Sequence, residues 1–241
     1  MDQWLAAHGH AETRSRARWL IETGQVWVDG KPSLKASCMV SAEGRVEVRC
    51  AGLPYVSRGG LKLEHALQTF GVDVASRVAL DVGASTGGFT DCLLQHGTQR
   101  VYALDVGSAQ LHPSLREDPR VISLEGRNIR TFQPTELPEP VNLITVDVSF
   151  ISLTLVLPVL PACLRSGAPV IALIKPQFEV GPHYVRRGGI VRDTTRRELA
   201  VRHVLDTAAA VGFQVMGTTE VPRFQARGNA EIFVYLRLVS A

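Results

Sequence analysis

The sequence has little of what marks several common protein classes. Its four cysteines, Cys38, Cys50, Cys92 and Cys163, are scattered and form no C-x-x-C pair. Neither a disulfide framework nor a zinc site is expected, and no metal is. No uninterrupted apolar run is long enough to span a bilayer, and the opening MDQWLAAHGHAETRSR lacks the apolar segment of a signal peptide. A cytoplasmic protein is the expectation. Repeats and low-complexity tracts are missing too, and the net charge of +3 is small for 241 residues. What is present is a 45% hydrophobic chain, enough for one large domain or a medium one carrying a small module.

The charge is not spread evenly. Met1 through Lys62 holds nine basic and six acidic residues, so this stretch alone carries the whole net charge. A short helix over Asp2–His8 is expected, then a second from the N-cap Thr13 through Thr23 with Ala17, Leu20 and Ile21 inward and Gly24 as its stop. Val26-Trp27-Val28 reads as a strand entering an Asp29-Gly30 hairpin turn, and Val46-Glu47-Val48 as another. Arg14 and Arg18 share a helical face, with Arg16 near it and Lys31 and Lys35 following. Taken alone, that cluster reads as a solvated helix face. The order of elements, however, resembles the S4-type RNA-binding module over residues 1–50. The module's usual opening Arg-Leu-Asp is reduced here to Met-Asp.

Residues 51–57, AGLPYVS, read as a linker. Arg58-Gly59-Gly60 leads into a helix, Leu61 to Phe70, with a buried stripe of Leu63, Ala66, Leu67 and Phe70. Lys62 lies beside that stripe, where a lysine usually snorkels to solvent. Strands then follow at Val78–Val82, Arg100–Leu104, Arg120–Leu124, Val141–Val146 and Pro169–Ile174. Ser152–Leu164 reads as helical despite Pro158 and Pro161, Thr194–Val211 as a long helix, and Phe213–Val221 and Glu231–Leu238 as the last strands. This alternation is that of an α/β doubly wound, mostly parallel sheet.

In such sheets ligands bind outside the C-terminal strand ends. Here those ends carry Asp81 with the loop Gly83 to Gly88, then Asp105, Asn128, Asp147 and Lys175. The first loop, D-V-G-A-S-T-G-G-F, is not a phosphate-binding P-loop, because Gly88 is followed by Phe89 and not by a lysine. It also breaks the G-x-G-x-x-G spacing of dinucleotide folds. Its pattern resembles the S-adenosylmethionine (SAM) loop of class I methyltransferases. That resemblance implies Asp81, Gly83, Ser85, Thr86, Gly87, Gly88 and Phe89 at the methionine end, Asp105 on the ribose hydroxyls and Asn128 near the adenine.

Methyltransferases acting on exocyclic amines usually carry [N/D]-P-P-[Y/F] after the fourth strand. This chain has Asp147-Val148-Ser149-Phe150, with no proline pair. The set Lys62, Asp147, Lys175 and Glu231 instead resembles the Lys-Asp-Lys-Glu tetrad of FtsJ/RrmJ-type ribose 2′-O-methyltransferases. A ribose hydroxyl is a poor nucleophile, so a base or a cation must act as the alkoxide develops. Two lysines framed by two carboxylates can tune one another and align the hydroxyl. By this reading Lys175 lies closest to the hydroxyl proton. The 176–193 loop is long, and its Arg186 and Arg187, like Arg58, suit phosphate contacts, although a solvated loop is an equal reading. Residues 224–229 precede Glu231 and would shape the same rim.

The N-terminal module, SRGGLKL, DVGASTGGFTD, DVSFISL and IKPQFE in that order resemble the TlyA/hemolysin A family over the whole chain. The resemblance implies a seven-stranded class I methyltransferase sheet with an antiparallel last strand over residues 58–241. It also implies SAM as cofactor, ribosomal RNA or ribosomal subunits as partner, and ribose 2′-O-methylation, cytidine being the family's substrate nucleoside. Two rivals stand beside it: a membrane-active haemolysin, for which no spanning or basic amphipathic helix is seen, and an RNA-binding protein on an inactive methyltransferase fold.

Overall fold

The computed structural model describes the chain apart from residues 12, 13, 23, 34, 39, 42, 43, 49–52, 186–188, 223–228, 240 and 241, and apart from the side chains at 15, 16, 19 and 22. The chain forms two compact units, which divide between Gly52 and Leu53.

In the first unit, α1 (Asp2–Ala7) and α2 (Arg14–Glu22) pack beside a small antiparallel sheet of β1 (Val26–Val28), β2 (Lys31–Pro32) and β3 (Val46–Val48), in the order β2-β1-β3. Leu5, Ala17, Leu20, Ile21 and Val26 are buried, so the inward face expected of the second helix is observed. The β1–β2 turn places both Asp29 and Gly30 at positive φ, the two-residue conformation that Asp-Gly favours.

The second unit is a seven-stranded sheet made of β4 (Val78–Val82), β5 (Arg100–Asp105), β6 (Val121–Glu125), β7 (Leu143–Val146), β8 (Pro169–Ile174), β9 (Phe213–Glu220) and β10 (Ile232–Leu238). Its order is β6-β5-β4-β7-β8-β10-β9, parallel from β4 to β8, with β10 inserted antiparallel between β8 and β9. The chain runs outward from β4 through β5 to β6, then restarts at β7 on the other side of β4. That reversal between β4 and β7 is the switch point at which such sheets bind ligands.

Both faces of the sheet are covered, and the alternation along β10 shows how. Val234 and Leu236 join the cluster that contains Val204 and Ala208 of α7 (Thr194–Ala210). On the opposite face Phe233 meets Phe89 of α4 (Gly88–Gln95), and Tyr235 meets Phe70 of α3 (Arg58–Phe70). Phe70 is therefore half-buried against the last strand, whereas Leu63, Ala66 and Leu67 are fully inside.

Three expectations are refined or corrected. Ser152–Leu164 is helical as expected but is broken into two 3-10 segments, Leu153–Leu155 and Leu157–Cys163, because Pro158 and Pro161 lack the amide hydrogens that a continuous α-helix needs. The stretch read as a linker is packed from Leu53 on. Tyr55 is buried, the Val56 amide donates to Asp91 at 2.7 Å, and Ser57 caps α3 by accepting from the Gly59 amide. The long loop after β8 begins as a short helix, α6 (Pro176–Glu179).

Candidate active site

The Gly83–Gly88 loop is built by close packing. Gly83 ends β4 at φ +86°, and a Cβ there would stand 2.5 Å from the carbonyl oxygen of Asp147. Only glycine lets the ends of β4 and β7 approach this closely. Gly88 plays a different part, since a Cβ on it would strike Ser57 Oγ and crowd the backbone of Gly59 and Gly60. The glycines of SRGGLKL and of the loop thus seat α3 on α4. Gly87 lies under Leu111 and under Leu115 of the short helix α5 (Pro113–Arg116).

These contacts change the expected roles of several loop residues. Gly87, Gly88 and Phe89 face protein, and Phe89 is buried. Asp81 is fully buried, with its carboxylate accepting from Thr90 Oγ1 at 2.7 Å and Thr145 Oγ1 at 2.9 Å. Burial pushes its pKa up to about 6, against the opposing effect of the threonine hydrogen bonds, and the charge of Asp147 adds to the rise. Asp81 and Phe89 therefore support the loop from within the protein, and at Gly87 and Gly88 neighbours occupy the place of a Cβ.

Over the loop lies a cavity of about 630 Å³, lined by Gly83, Ser85, Asp105, Asn128 and Asp147 among others. Ser85 adopts a positive φ, and Thr86 is exposed but does not line the cavity. Asp105 ties the site together: Oδ2 accepts from the Ser85 amide at 2.8 Å and Oδ1 from the Gly107 amide at 2.7 Å. Asn128 caps a 3-10 turn through the Arg130 amide. Leu104, Val106, Ile129 and Ile151 supply apolar wall. A nucleoside-sized ligand matches this volume and this mixture of apolar wall and acceptors.

Beside the cavity stand the four expected charged residues. They form two ion pairs, Lys175 with Asp147 at 2.5 Å and Lys62 with Glu231. Asp147 Oδ1 accepts no well-aligned hydrogen bond, so its contact with Lys175 is a charge pairing; Lys175 Nζ donates instead to Ser149 Oγ at 3.0 Å. The β8–β10 ladder explains how residues so distant in sequence converge. Its terminal pair is Ile174 with Ile232, so Lys175 and Glu231 are the next residues out on adjacent strands. Asp147 leaves β7, and Lys62 arrives from α3.

Sequence reasoning missed Ser149 and Phe150 as rim residues, although DVSF had been singled out for what it lacks. Phe150 is 92% exposed and has a positive φ. Glu125 was missed as well. It accepts from the amides of Ala109 and Gln110 and so fixes the loop that brings Gln110 to the cavity. The Ala109 hydrogen bond holds its carboxyl below the ordinary range.

The basic residues proposed for RNA are less uniform. Arg14 and Arg18 both pair with Asp2 Oδ2, at 3.2 and 2.9 Å. Lys31 and Lys35 are exposed, and Arg58 is half-buried at the start of α3. The side chain of Arg16 and all of Arg186 and Arg187 lie outside the described residues, as do residues 224–228. Asn229 is described, and it clasps the far end of the long loop by accepting from the Val191 amide and donating to Gly189 O.

A class I methyltransferase fold with a nucleoside-sized cavity at its switch point is what these features define. The family models agree, and the chain belongs to the FtsJ-like methyltransferase family, matched over residues 55–238, with an S4 domain matched over residues 1–46. It is 42% identical over 238 residues to the 16S/23S rRNA (cytidine-2′-O)-methyltransferase TlyA of Mycobacterium tuberculosis, covering 98% of this chain and 89% of that one. It is 39% identical to Hemolysin A of Brachyspira hyodysenteriae, over 98% of both chains. A solved structure from Streptococcus thermophilus, provisionally assigned as a hemolysin, superposes over all of this chain and 88% of that one with a TM-score of 0.79 and 39% identity. Among the described residues no helix is long and apolar enough to cross a membrane.

Proposed function

We propose that this protein transfers the methyl group of SAM to the 2′-hydroxyl of a ribose, that of a cytidine, in ribosomal RNA. The observation that carries this reading is the pair of lysines held by the strand-end carboxylates Asp147 and Glu231 beside a nucleoside-sized cavity. The cavity residues fit SAM. Asp105 would take the ribose hydroxyls, exchanging one of its backbone partners, while Asn128 and the apolar wall would receive the adenine. Bound there, SAM supplies an electrophilic methyl group.

The chain's own residues then handle the hydroxyl. Lys175 Nζ, fixed by Asp147 and Ser149, faces the 2′-OH; as the neutral amine, its own proton first lost to solvent, it takes up the hydroxyl proton as negative charge grows on oxygen. Lys62 and Glu231, a second ion pair, hold the other flank of the hydroxyl. The exposed ring of Phe150 offers a face on which an unstacked base can lie. The exposed lysines of the S4 domain would add phosphate contacts.

The test is incubation with methyl-labelled SAM and ribosomal subunits or free rRNA, followed by alkaline hydrolysis. A labelled nucleotide resistant to cleavage on its 3′ side is expected, because the reaction blocks the 2′-oxygen. Label found on a base refutes the ribose assignment. No transfer to any RNA, with SAM binding confirmed by calorimetry, refutes the enzyme reading.

A further inference from the structure

The stretch IKPQFE contains more than its lysine. Across from it runs the exit of β7, Asp147 to Leu153, and the two segments meet at three successive places. Lys175 contacts Asp147 and Ser149. Phe178 packs on Phe150 with ring centroids 5.1 Å apart. Glu179 then closes the series: Oε2 accepts from Ser152 Oγ at 2.5 Å and Oε1 from the Leu153 amide at 2.9 Å.

Between the first and third contacts sits Phe150, almost fully exposed at the cavity rim and at φ +63°. A phenylalanine neither adopts this backbone conformation nor leaves its ring in water without something holding it there. Beyond the Asp147 amide, which donates to Val82 O at 2.9 Å, the loop lies outside helix and strand until the 3-10 turn Leu153–Leu155. Both oxygens of Glu179 engage the start of that turn. Burial raises the pKa of Glu179, and the bonds from Ser152 and Leu153 oppose the rise. Glu179 is half-buried at this point, and both of its carboxyl oxygens take hydrogen bonds from the rim loop.

We propose that Glu179 is a positioning residue for methyl transfer: by fixing Ser152 and Leu153 it sets the Ser149–Phe150 rim in register with Lys175. The inference rests on the function proposed above. Lys175 and Glu179 belong to the same five-residue stretch, so the nitrogen at the reacting hydroxyl and the anchor of the substrate rim are one rigid piece. An error of about 1 Å between such parts is enough to cost roughly 100-fold in rate.

The test compares full-length Glu179→Ala, Glu179→Gln and Ser152→Ala with the unaltered protein. The readouts are SAM affinity, kcat and KM for RNA at saturating SAM, and hydrogen exchange over residues 148–153. Glu179→Ala should lower kcat about 10- to 100-fold with SAM affinity within about threefold, and should raise exchange in the rim. Glu179→Gln keeps an acceptor for the Leu153 amide and should recover most of both. Ser152→Ala removes the bond to Glu179 together with the hydroxyl's contacts to the Thr154 amide and Thr154 Oγ1, leaves the Glu179–Leu153 bond in place, and should show the same pattern; it decides the matter if Glu179→Ala does not fold.

Unaltered kinetics and exchange in the folded variants overturn the inference, as does loss of SAM binding in parallel with kcat. If the unaltered protein transfers no methyl group but Glu179→Ala still loosens residues 148–153, the proposed function fails while the anchoring stands. If exchange there is also unchanged, both fail.

Discussion

The carbonyl oxygen of Asp147 fills the space where Gly83 would carry a side chain, 2.5 Å from the position of a Cβ. One contact thus joins the Gly83–Gly88 loop to the residue that holds Lys175. Gly83→Ala should lower stability by about 2–4 kcal/mol, since it adds a positive-φ penalty to a backbone collision. A fall in Tm of roughly 5–15 °C would register it, together with weakened SAM binding by calorimetry. A variant with unchanged Tm and SAM affinity would show that the two strand ends move apart freely.

Lys175→Ala should separate binding from transfer. Lys175 does not line the cavity, although its partners Asp147 and Ser149 do. SAM affinity should stay within about threefold while kcat falls by about 10²- to 10⁴-fold, the range of a lost acid–base group. Equal loss of both would refute its catalytic role.

Asp81 gives a pH signature unrelated to substrate. Its folded-state pKa is raised from 3.8 to about 6, so the folded chain holds a proton there more tightly than the unfolded chain. The resulting stabilisation is fully present below 3.8 and is lost as the pH rises through about 6. Measured by urea unfolding from pH 4 to pH 8, the stability of the native protein relative to Asp81→Asn should decline with rising pH by up to about 3 kcal/mol. A constant difference would mean that the carboxyl titrates normally.

Removal of the first unit should weaken RNA binding by about tenfold or more and reduce its salt dependence, with SAM affinity unchanged. The cut belongs before Leu53, because Tyr55 and Ser57 are part of the second unit's packing. Filter binding to ribosomal RNA at several salt concentrations measures this, and an unaltered affinity would count against an RNA role for residues 1–52.

The sequence by itself determined the order of strands and helices, the two-part layout and the identity of the four charged residues. Each is written in local patterns: apolar runs, caps, turn dipeptides, and polar groups where strands end. Tertiary structure decided what those groups touch. Among the loop residues that look like cofactor ligands, a Cβ on Gly88 would collide with the start of α3, one on Gly87 with Leu111 and Leu115, and the Phe89 ring is buried against Phe233 of β10. Asp81 is likewise hidden, by threonines on α4 and β7, one of them 64 residues away. Lys62 and Glu231, 169 residues apart, meet only because β10 inserts between β8 and β9, a pairing that no local periodicity encodes. Glu179 faces Ser152 for the same reason: strand order, set by the burial of both sheet faces, fixes which loops become neighbours.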